Sequence, residues 1–509
     1  MPVYDVEQYL AACLDSILAQ PITDYEVVIV DDGATDSSAE IAQHYVDRHR
    51  HIRMIRQANA GLGAARNVGV AAARGELLTF VDSDDELPDD AYSVMLATLE
   101  RSGSDFVVGM LKRDDGKRRT ATPRMRENHR VERIGVNIHE VPGMLADVFA
   151  VNKVYRRSFW DAHGLGFPEG IRYEDQPALT RAFLLARSFD VVRETVYLWR
   201  IRDDGSSITQ RRDDIADLRD RVVTKRDSTE LVRRHAPDLE ERWLADILTA
   251  DMGEYFRSVP GCTDEYWQTL RDAVRELWTP DTVPYEATVA PAHQRLMGWL
   301  VAEDRRADLE KVAWFLDDHA GEPVATEIRG DRVVRLLPGI DDPSSETPPG
   351  LYELSPHELR WEARAVSVDW DDRLLRVHGF ALIRNVPTDE QPTTLTMHLA
   401  GEDGTTVGVE LVATTEPRAS RFAGRPEGEF DACGFTATVD LTVLASGAGP
   451  DVTRWRFAAE RDVGEVVGGG GLNSWNPPVT APRLHDIVGG GAGRLLGDDG
   501  ELVLEIRRP

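Results

Sequence analysis

YEVVIVDDGATD, Tyr25 to Asp36, decides how this chain is read. Four successive β-branched residues, Val27 to Val30, make an apolar run too short for an ordinary helix and suited to a buried strand. Two carboxylates, Asp31 and Asp32, follow at once, and Gly33 permits the turn that ends the strand. DSSAEIAQHYVDRH (Asp36–His49) then continues as a helix, with Asp36 as a capping residue.

The same rhythm extends on both sides. IRMIRQ (Ile52–Gln57) is a short strand, GLGAARNVGVAAARG (Gly61–Gly75) is Ala-rich and helical, and ELLTFVDSDD (Glu76–Asp85) is another buried strand with an acidic end. GSDFVVGM (Gly103–Met110) supplies a further strand. Alternating strands and helices predict an α/β layer with parallel strands, whose carboxyl ends share the edge where ligands bind. MPVYDVEQYLAACLDSIL (Met1–Leu18) reads as the exit from a strand into a helix, with the strand itself missing. A misplaced or shortened start is the simplest account, and loss of a central strand would expose backbone groups and apolar surface.

Beyond residue 213 the pattern changes. Trp and Leu recur at helical spacing through residues 214–325, and LLPGIDDPSSETPPG (Leu336–Gly350) reads as a linker within residues 326–357. Residues 358–509 hold short β-rich runs such as RLLRVHGFALI and TTLTMHLAG, which suggest a β-sandwich. VVGGGGLNSW and VGGGAGR lack the Lys-Ser/Thr that follows a phosphate loop and read as Gly-rich loops.

Composition narrows the function. At 509 residues the chain exceeds one core, and its 42% hydrophobic content is that of a globular protein. No apolar run approaches the roughly 20 residues that cross a bilayer, and the start lacks a signal-peptide pattern. Three scattered cysteines, Cys13, Cys262 and Cys433, imply neither a disulfide framework nor a zinc site. The expectation is a cytoplasmic protein, associated at most peripherally with the inner face of the membrane. A net charge of -29 argues against nucleic-acid binding. Against that background KRDDGKRRTATPRMRENHRVER (Lys112–Arg133) is locally basic, either a solvated loop or a landing site for an anionic acceptor.

Four elements can carry chemistry. In DSDD (Asp82–Asp85), Asp82 and Asp84 point to one side of an extended backbone, where they can hold a divalent cation bridging a diphosphate, although a lone D-x-D is more often a turn or helix cap. In VVIVDDGATD, Asp31 and Asp32 can accept hydrogen bonds from a nucleobase or ribose, or simply close the turn. In NAGLGAARNVGV, Asn59, Gly61 and Gly63 suit close backbone approach, while Arg66 and Asn67 can reach phosphate or ribose. In FPEGIRYEDQPALTRAFL, Glu174 and Asp175 either cap a helix or provide the general base of an inverting sugar transfer. Downstream, YLWRIRDDGSSIT offers Arg200, Arg202, Ser206 and Ser207 in a loop able to fold over phosphates.

Taken in order, PVYDVEQYLAACLDSILAQ, VVIVDDGATD, NAGLGAARNVGV, LLTFVDSDD, VNKVYRR and RYEDQPALTRAFL resemble the family-2 inverting glycosyltransferases over roughly Pro2 to Arg212. The resemblance implies a GT-A, nucleotide-diphospho-sugar fold with Mn²⁺ or Mg²⁺ as cofactor, and uridine as the base. It places Pro2, Tyr4, Asp31, Asp32, Asn59, Gly61, Arg66, Asn67, Asp82, Ser83, Arg202 and Ser206 around the nucleotide-sugar. Asp84 becomes the metal ligand, Asp175 the catalytic base supported by Glu174, and Asn152 and Lys153 edge the acceptor site. A transferase domain followed by helices, VVRLLPG and β-rich sequence is similar to teichoic-acid-decorating glycosyltransferases. That likeness implies a polyol-phosphate or glycan acceptor, with the β region serving oligomerisation or polymer binding. Asp5 departs from the Asn common in the family, and the Q-x-x-R-W motif of processive members is missing. A noncatalytic polymer-binding scaffold is the alternative, and a nucleotidyltransferase is disfavoured because PVYDVEQYL offers no triphosphate loop.

Overall fold

The Val27–Asp31 run (β2) is buried along its whole length because it is the middle strand of a parallel sheet. Its neighbours are β1 (Pro2–Val3) and β3 (Ile52–Arg56). Val30 donates its N–H to Met1 at 2.8 Å, and Asp32 donates to Val3 at 2.9 Å. The strand expected to be missing is therefore represented by a two-residue strand that delivers Tyr4 and Asp5 to the carboxyl edge. Helix α1 (Leu10–Leu18) buries Leu10, Cys13, Leu14 and Ile17, the stripe of an amphipathic helix. Helix α2 (Ser38–Arg48) follows β2, and α3 (Leu62–Ala72) follows β3 and buries only its first turn, Gly63 to Arg66.

The computed structural model describes the chain apart from residues 202–211, 279–287, 289, 372, 389–391, 427, 447–451, 475–484, 489–491, 499–500 and 508–509. After β4 (Leu77–Thr79) and α4 (Ala91–Ser102) come β5 (Phe106–Asp114), β6 (Arg119–Thr120), α5 (Pro123–Asn128) and β7 (Arg133–Val136). Next are β8 (Lys153–Arg156), α6 (Arg157–Ala162), α7 (Asp175–Leu185) and β9 (Phe189–Arg200). These strands form a second sheet in the order β4-β8-β5-β9-β7, with β6 hairpinned onto β5.

The expectation of parallel strands throughout needs correction. Only β5 and β9 run parallel in this sheet; β4 with β8, β8 with β5, and β7 with β9 are antiparallel. VNKVYRR supplies β8, which follows β6, α5 and β7 and enters between β4 and β5 antiparallel to both. A cavity of about 740 Å³, lined by Val27, Val28, Leu78, Thr79 and Gly69 among others, lies between β2 and β4; none of the candidate carboxylates lines it.

Helix α8 (Ile215–His235) packs on α7, and α9 (Glu240–Arg242), α10 (Thr249–Phe256) and α11 (Asp264–Leu277) follow. Compactness assigns Met1–Pro284, with Val301–Arg306, to one unit, and Tyr285–Leu300 with Ala307–Pro509 to another. The stretch read as linker holds a hairpin, Thr326–Arg329 against Arg332–Arg335. The β-rich remainder is antiparallel in most of its pairs, and Ala363, Val377, Phe435 and Ala437 from one set of strands share a core with Leu399, Phe457, Leu495 and Leu504 from another. All these strands belong to one twelve-stranded sheet whose two ends close on a shared apolar layer, a sandwich-like arrangement. No helix among the described residues is long and apolar enough to cross a membrane.

Candidate active site

At the carboxyl edge of the first sheet Tyr4, the residue after β1, stands 47% exposed, while Pro2 is buried in β1. Asp5 takes φ +48 and accepts from Thr35 N–H at 2.7 Å, so it ties the first loop to the turn after β2. Asp31 and Asp32 are buried there. Asp31 accepts from Ala34 N–H at 3.0 Å. Asp32 accepts from Gln57 Nε2 at 2.8 Å and from the Ala60 and Gly61 N–H groups at 2.9 Å each. Its carboxylate therefore spends three of about four acceptor positions on shaping the loop that carries exposed Asn59 and half-buried Gly61.

The second element is the acid turn after β4. Asp82, Ser83, Asp84 and Asp85 alternate between partly exposed and buried. Asp85 accepts from Tyr197 Oη at 2.9 Å and from Arg200 N–H at 2.8 Å, and Tyr197 Oη in turn accepts from Asp82 N–H at 3.1 Å. Burial, with Asp84 and Asp82 close by, pushes the Asp85 carboxyl well above the usual range. The backbone of Glu86 exchanges hydrogen bonds with Leu198, and Arg200 Nε donates to the Asp84 carbonyl at 2.9 Å. Strand β9 thus fixes this turn. Sequence reasoning misses Tyr197 and Asp85 as parts of the site, since their pairing spans 112 residues and leaves no local pattern.

Arg66 joins this turn to the acidic pair at the start of α7. It is buried, donating Nη2 to Asp82 Oδ1 at 2.7 Å and Nη1 to Glu174 Oε1 at 2.5 Å, with its guanidinium 5.2 Å from the centre of the Phe167 ring. The reach to phosphate expected of Arg66 is replaced by an inward bridge between two carboxylates. Asn67 is likewise diverted: its amide donates to Phe167 carbonyl at 2.8 Å and accepts from Phe167 N–H at 2.9 Å. Gly63 makes this approach possible, because a Cβ there would stand 2.2 Å from the Pro168 carbonyl oxygen.

Glu174 is buried and Asp175 partly exposed at the first turn of α7. Withheld water raises both carboxyls, Arg66 opposes it in both and Asp82 adds to it in both; the charge of Asp175 adds further at Glu174, which reaches about 7. A carboxylate whose pKa has been raised toward neutrality is suited to accept a proton from a hydroxyl.

The acceptor-edge role expected of Asn152 and Lys153 meets a different placement. Both are completely buried. Lys153 Nζ donates to Asp147 Oδ1 at 2.6 Å, Phe149 carbonyl at 2.7 Å and Asn152 Oδ1 at 2.9 Å, while Asn152 Nδ2 donates to Gly109 carbonyl at 2.8 Å. This cluster cements β8 against β5. Arg202, Ser206 and Ser207 lie outside the described residues. The basic stretch from Lys112 becomes the end of β5, its β6 hairpin and α5. Because Arg113 pairs with Trp199 and Asp114 with Arg200 in the ladder, this hairpin rises beside the acid turn.

Among the described residues no three His, Cys, Asp or Glu side chains gather to hold a metal by themselves. Asp82 is bonded to Arg66 and Asp85 to Tyr197, while Asp84 is partly exposed on the same turn. A hard cation resting on one carboxylate, with phosphate and water oxygens completing its shell, is the usual manner of Mg²⁺. The donor chemistry fits Mg²⁺ or Mn²⁺ on Asp84.

Residues 1–163 match the model of the family described as Glycosyl transferase family 2. An uncharacterized glycosyltransferase of Bacillus subtilis, EpsJ, is 34% identical over 218 residues, 41% of this chain and 62% of that protein. The poly(ribitol-phosphate) beta-glucosyltransferase of Bacillus spizizenii is 30% identical over 214 residues, 41% of this chain and 33% of that one. The chain thus spans less than two thirds of either relative. Among solved structures, Staphylococcus aureus TarS aligns with a TM-score of 0.57 at 16% identity, covering 99% of this chain and 84% of that one. A TarS fragment in complex with UDP-GlcNAc aligns at 0.51 with 18% identity, over 66% of this chain and 94% of that one. At such identities the structural likeness speaks for the fold. Residues 1–163, which hold the β2 strand-end carboxylates and the acid turn, are thus similar in sequence to glycosyltransferase family 2.

Proposed function

We propose that the chain is an inverting transferase that moves a sugar from a UDP-sugar to a hydroxyl of an anionic, polyol-phosphate-like or glycan acceptor. The observation that carries this reading is the Arg66 bridge, which draws the Asp82 turn and the Glu174–Asp175 turn together. In this reading the nucleotide lies over Tyr4 and the β2 turn, and the diphosphate reaches the Asp82–Asp84 turn. The carboxylate of Asp175 takes the proton from the attacking hydroxyl. The acceptor oxygen bonds to the anomeric carbon as the bond to the diphosphate breaks on the opposite face, which inverts that carbon. Glu174 and Arg66 hold Asp175 in place. A divalent cation on Asp84 would supply charge neutralisation for the departing nucleotide diphosphate.

The acceptor class is supported by the basic β5–β6 hairpin beside the acid turn, on a chain of net charge -29, and by the polyol-phosphate acceptor in one relative's name. The test is nucleotide release from UDP-, GDP- and dTDP-sugars with Mn²⁺ or Mg²⁺, with and without chelator. Release from one donor is expected, abolished by chelator, by Asp84→Asn and, about 10³-fold, by Asp175→Asn. Asp175→Asn keeps nucleotide binding, whereas Asp84→Asn loses its metal dependence. Silence with every donor and acceptor, alongside saturable binding of a glycopolymer, would replace the transferase by a binding scaffold. Near-normal turnover by Asp175→Asn would refute the base assignment.

A further inference from the structure

Helix α8 lies beyond the segment that matches the family, and its buried face is largely polar. Asp217, Thr224, Lys225, Ser228 and Thr229 are buried beside Leu218, Val222 and Val232. The later polar groups are met within the helical layer: Lys225 pairs with Asp251, and Thr229 accepts from Trp243 Nε1 at 2.9 Å. The earlier ones reach the base turn instead. Asp217 accepts from Tyr173 Oη at 2.9 and 3.0 Å and from Tyr255 Oη at 2.6 Å. Arg221 lays its guanidinium 3.4 Å from the centre of the Tyr173 ring and donates Nη1 to Gln176 Oε1 at 3.3 Å.

Tyr173 and Gln176 flank the acidic pair, so α8 grips the turn on both sides of Glu174 and Asp175. Tyr173 sits at φ +61, a left-handed conformation that bulky residues seldom adopt. Such a backbone persists where its surroundings over-determine it, and it collects at functional sites. The Asp217 bond and the Arg221 stack are two of the contacts that hold it.

We propose that Tyr173 and Arg221 are positioning residues that clamp the turn carrying Asp175 onto helix α8. The inference rests on Asp175 being the base. Asp175 faces Arg66 from α3, Asp82 from the acid turn, its neighbour Glu174, Lys153 and Tyr155 from β8, and Arg221 from α8. Removing Arg221 takes away a cation that favours the charged carboxylate, so the pH at which the base becomes available rises.

The experiment uses the full chain with UDP-N-acetylglucosamine and Mn²⁺, comparing Tyr173→Phe, Arg221→Met, Arg221→Lys and Asp175→Asn. Arg226→Gln, on α8 but paired with Glu276 in the helical layer, is the control and retains wild-type rates. Tyr173→Phe and Arg221→Met should each lower kcat about 10- to 100-fold, with donor KM within about twofold. Arg221→Met should also move the acid limb of the pH profile up by about half to one unit. Arg221→Lys should restore that limb but only part of kcat, since lysine lacks the planar fork that stacks and bonds together. A kcat within twofold of wild type and an unmoved acid limb in both Tyr173→Phe and Arg221→Met overturn the clamp. Loss of rate tracking a lowered melting temperature, with no change in the pH profile, overturns it as well. If Arg221→Met does not fold, Tyr173→Phe, which keeps the ring, decides. Turnover by Asp175→Asn would instead sink the base assignment, whereas an inactive Asp175→Asn beside normal clamp variants would sink the clamp alone.

Discussion

Alanine at Gly63 and alanine at Gly69, both on α3, should have opposite consequences. At Gly63 a Cβ would lie 2.2 Å from the Pro168 carbonyl oxygen and 3.2 Å from Glu174 Cγ. Ordinary contact needs about 3.5 Å, so helix and loop must part by roughly 1 Å. The helix cannot move alone. Arg66 holds Glu174 and Asp82, and Asn67 holds Phe167, so the displacement passes to the turn that carries Asp175. Overpacking of this kind costs about 1–3 kcal/mol of stability. A misplacement near 1 Å costs on the order of 10²-fold in turnover. Gly69 sits in the helix without positive φ, its Cβ would meet Val30 Cγ2 at 3.6 Å, and it borders the cavity between β2 and β4. Alanine there should stabilise by about 0.5–1 kcal/mol, the usual difference from glycine within a helix, and leave turnover alone. Urea melts and nucleotide release measure both variants side by side. Wild-type rate and stability in Gly63→Ala would refute the claim that the site depends on this close approach. An equal loss in Gly69→Ala would mean that any change on α3 is harmful and that the Pro168 contact is not the cause.

Two further predictions concern charge. Glu174 has its carboxyl raised from 4.5 to about 7 in the folded chain. A raised carboxyl pKa favours folding fully below about pH 4.5 and loses that contribution as pH climbs through about 7, a component on the order of 3 kcal/mol. Glu174→Gln removes it, so the wild type's stability relative to the variant should fall between pH 5 and pH 8 in denaturant melts; parallel curves would contradict this. Reversing Lys117 and Arg118, exposed on the β5–β6 hairpin, to glutamate should raise KM for a polyol-phosphate acceptor about tenfold and flatten its salt dependence. Donor hydrolysis without acceptor should not change, and an equal loss with an uncharged acceptor would remove the hairpin from acceptor recognition.

The strands and helices of the first domain were legible because each is a short apolar run with its own punctuation. β2 reads from four β-branched residues closed by Asp-Asp-Gly, and α1 from its regular apolar stripe. The antiparallel β8 was not legible, since strand direction depends on how the chain returns and not on the residues of VNKVYRR. The carboxylates of the site could be named from sequence for the same reason that strand ends could. What they bond to could not. Arg66 looks like a phosphate ligand because a guanidinium after a glycine-rich turn is free in the sequence, yet folding places two carboxylates within its fork. Lys153 and Asn152 look like surface groups because they are polar, whereas β8 is an interior strand and Asp147 meets the lysine inside. The positive φ of Tyr173 has no sequence signature, because Tyr-Glu-Asp gives no hint of a left-handed residue.

These placements change how the charges of the site should be counted. Asp82, Asp84, Asp85, Glu174 and Asp175 crowd the edge that would receive a diphosphate, and the described cations nearest them are already engaged by other groups. Arg66 is consumed by Asp82 and Glu174, Lys153 by Asp147, and Arg221 by the Tyr173 ring and Gln176. Arg200, beside the acid turn, is paired with Glu86. Among the described residues, fixed positive charge therefore organises the base turn more than it faces an anionic donor. On the proposed reading, compensation for the diphosphate arrives with a divalent ion at Asp84, while the exposed arginines and lysines of the β5–β6 hairpin meet the acceptor. The same arrangement accounts for a base of raised pKa: a carboxyl withheld from water, with Asp82 near and its cations half spent elsewhere, holds a proton more tightly than an isolated one and takes it from a hydroxyl more readily.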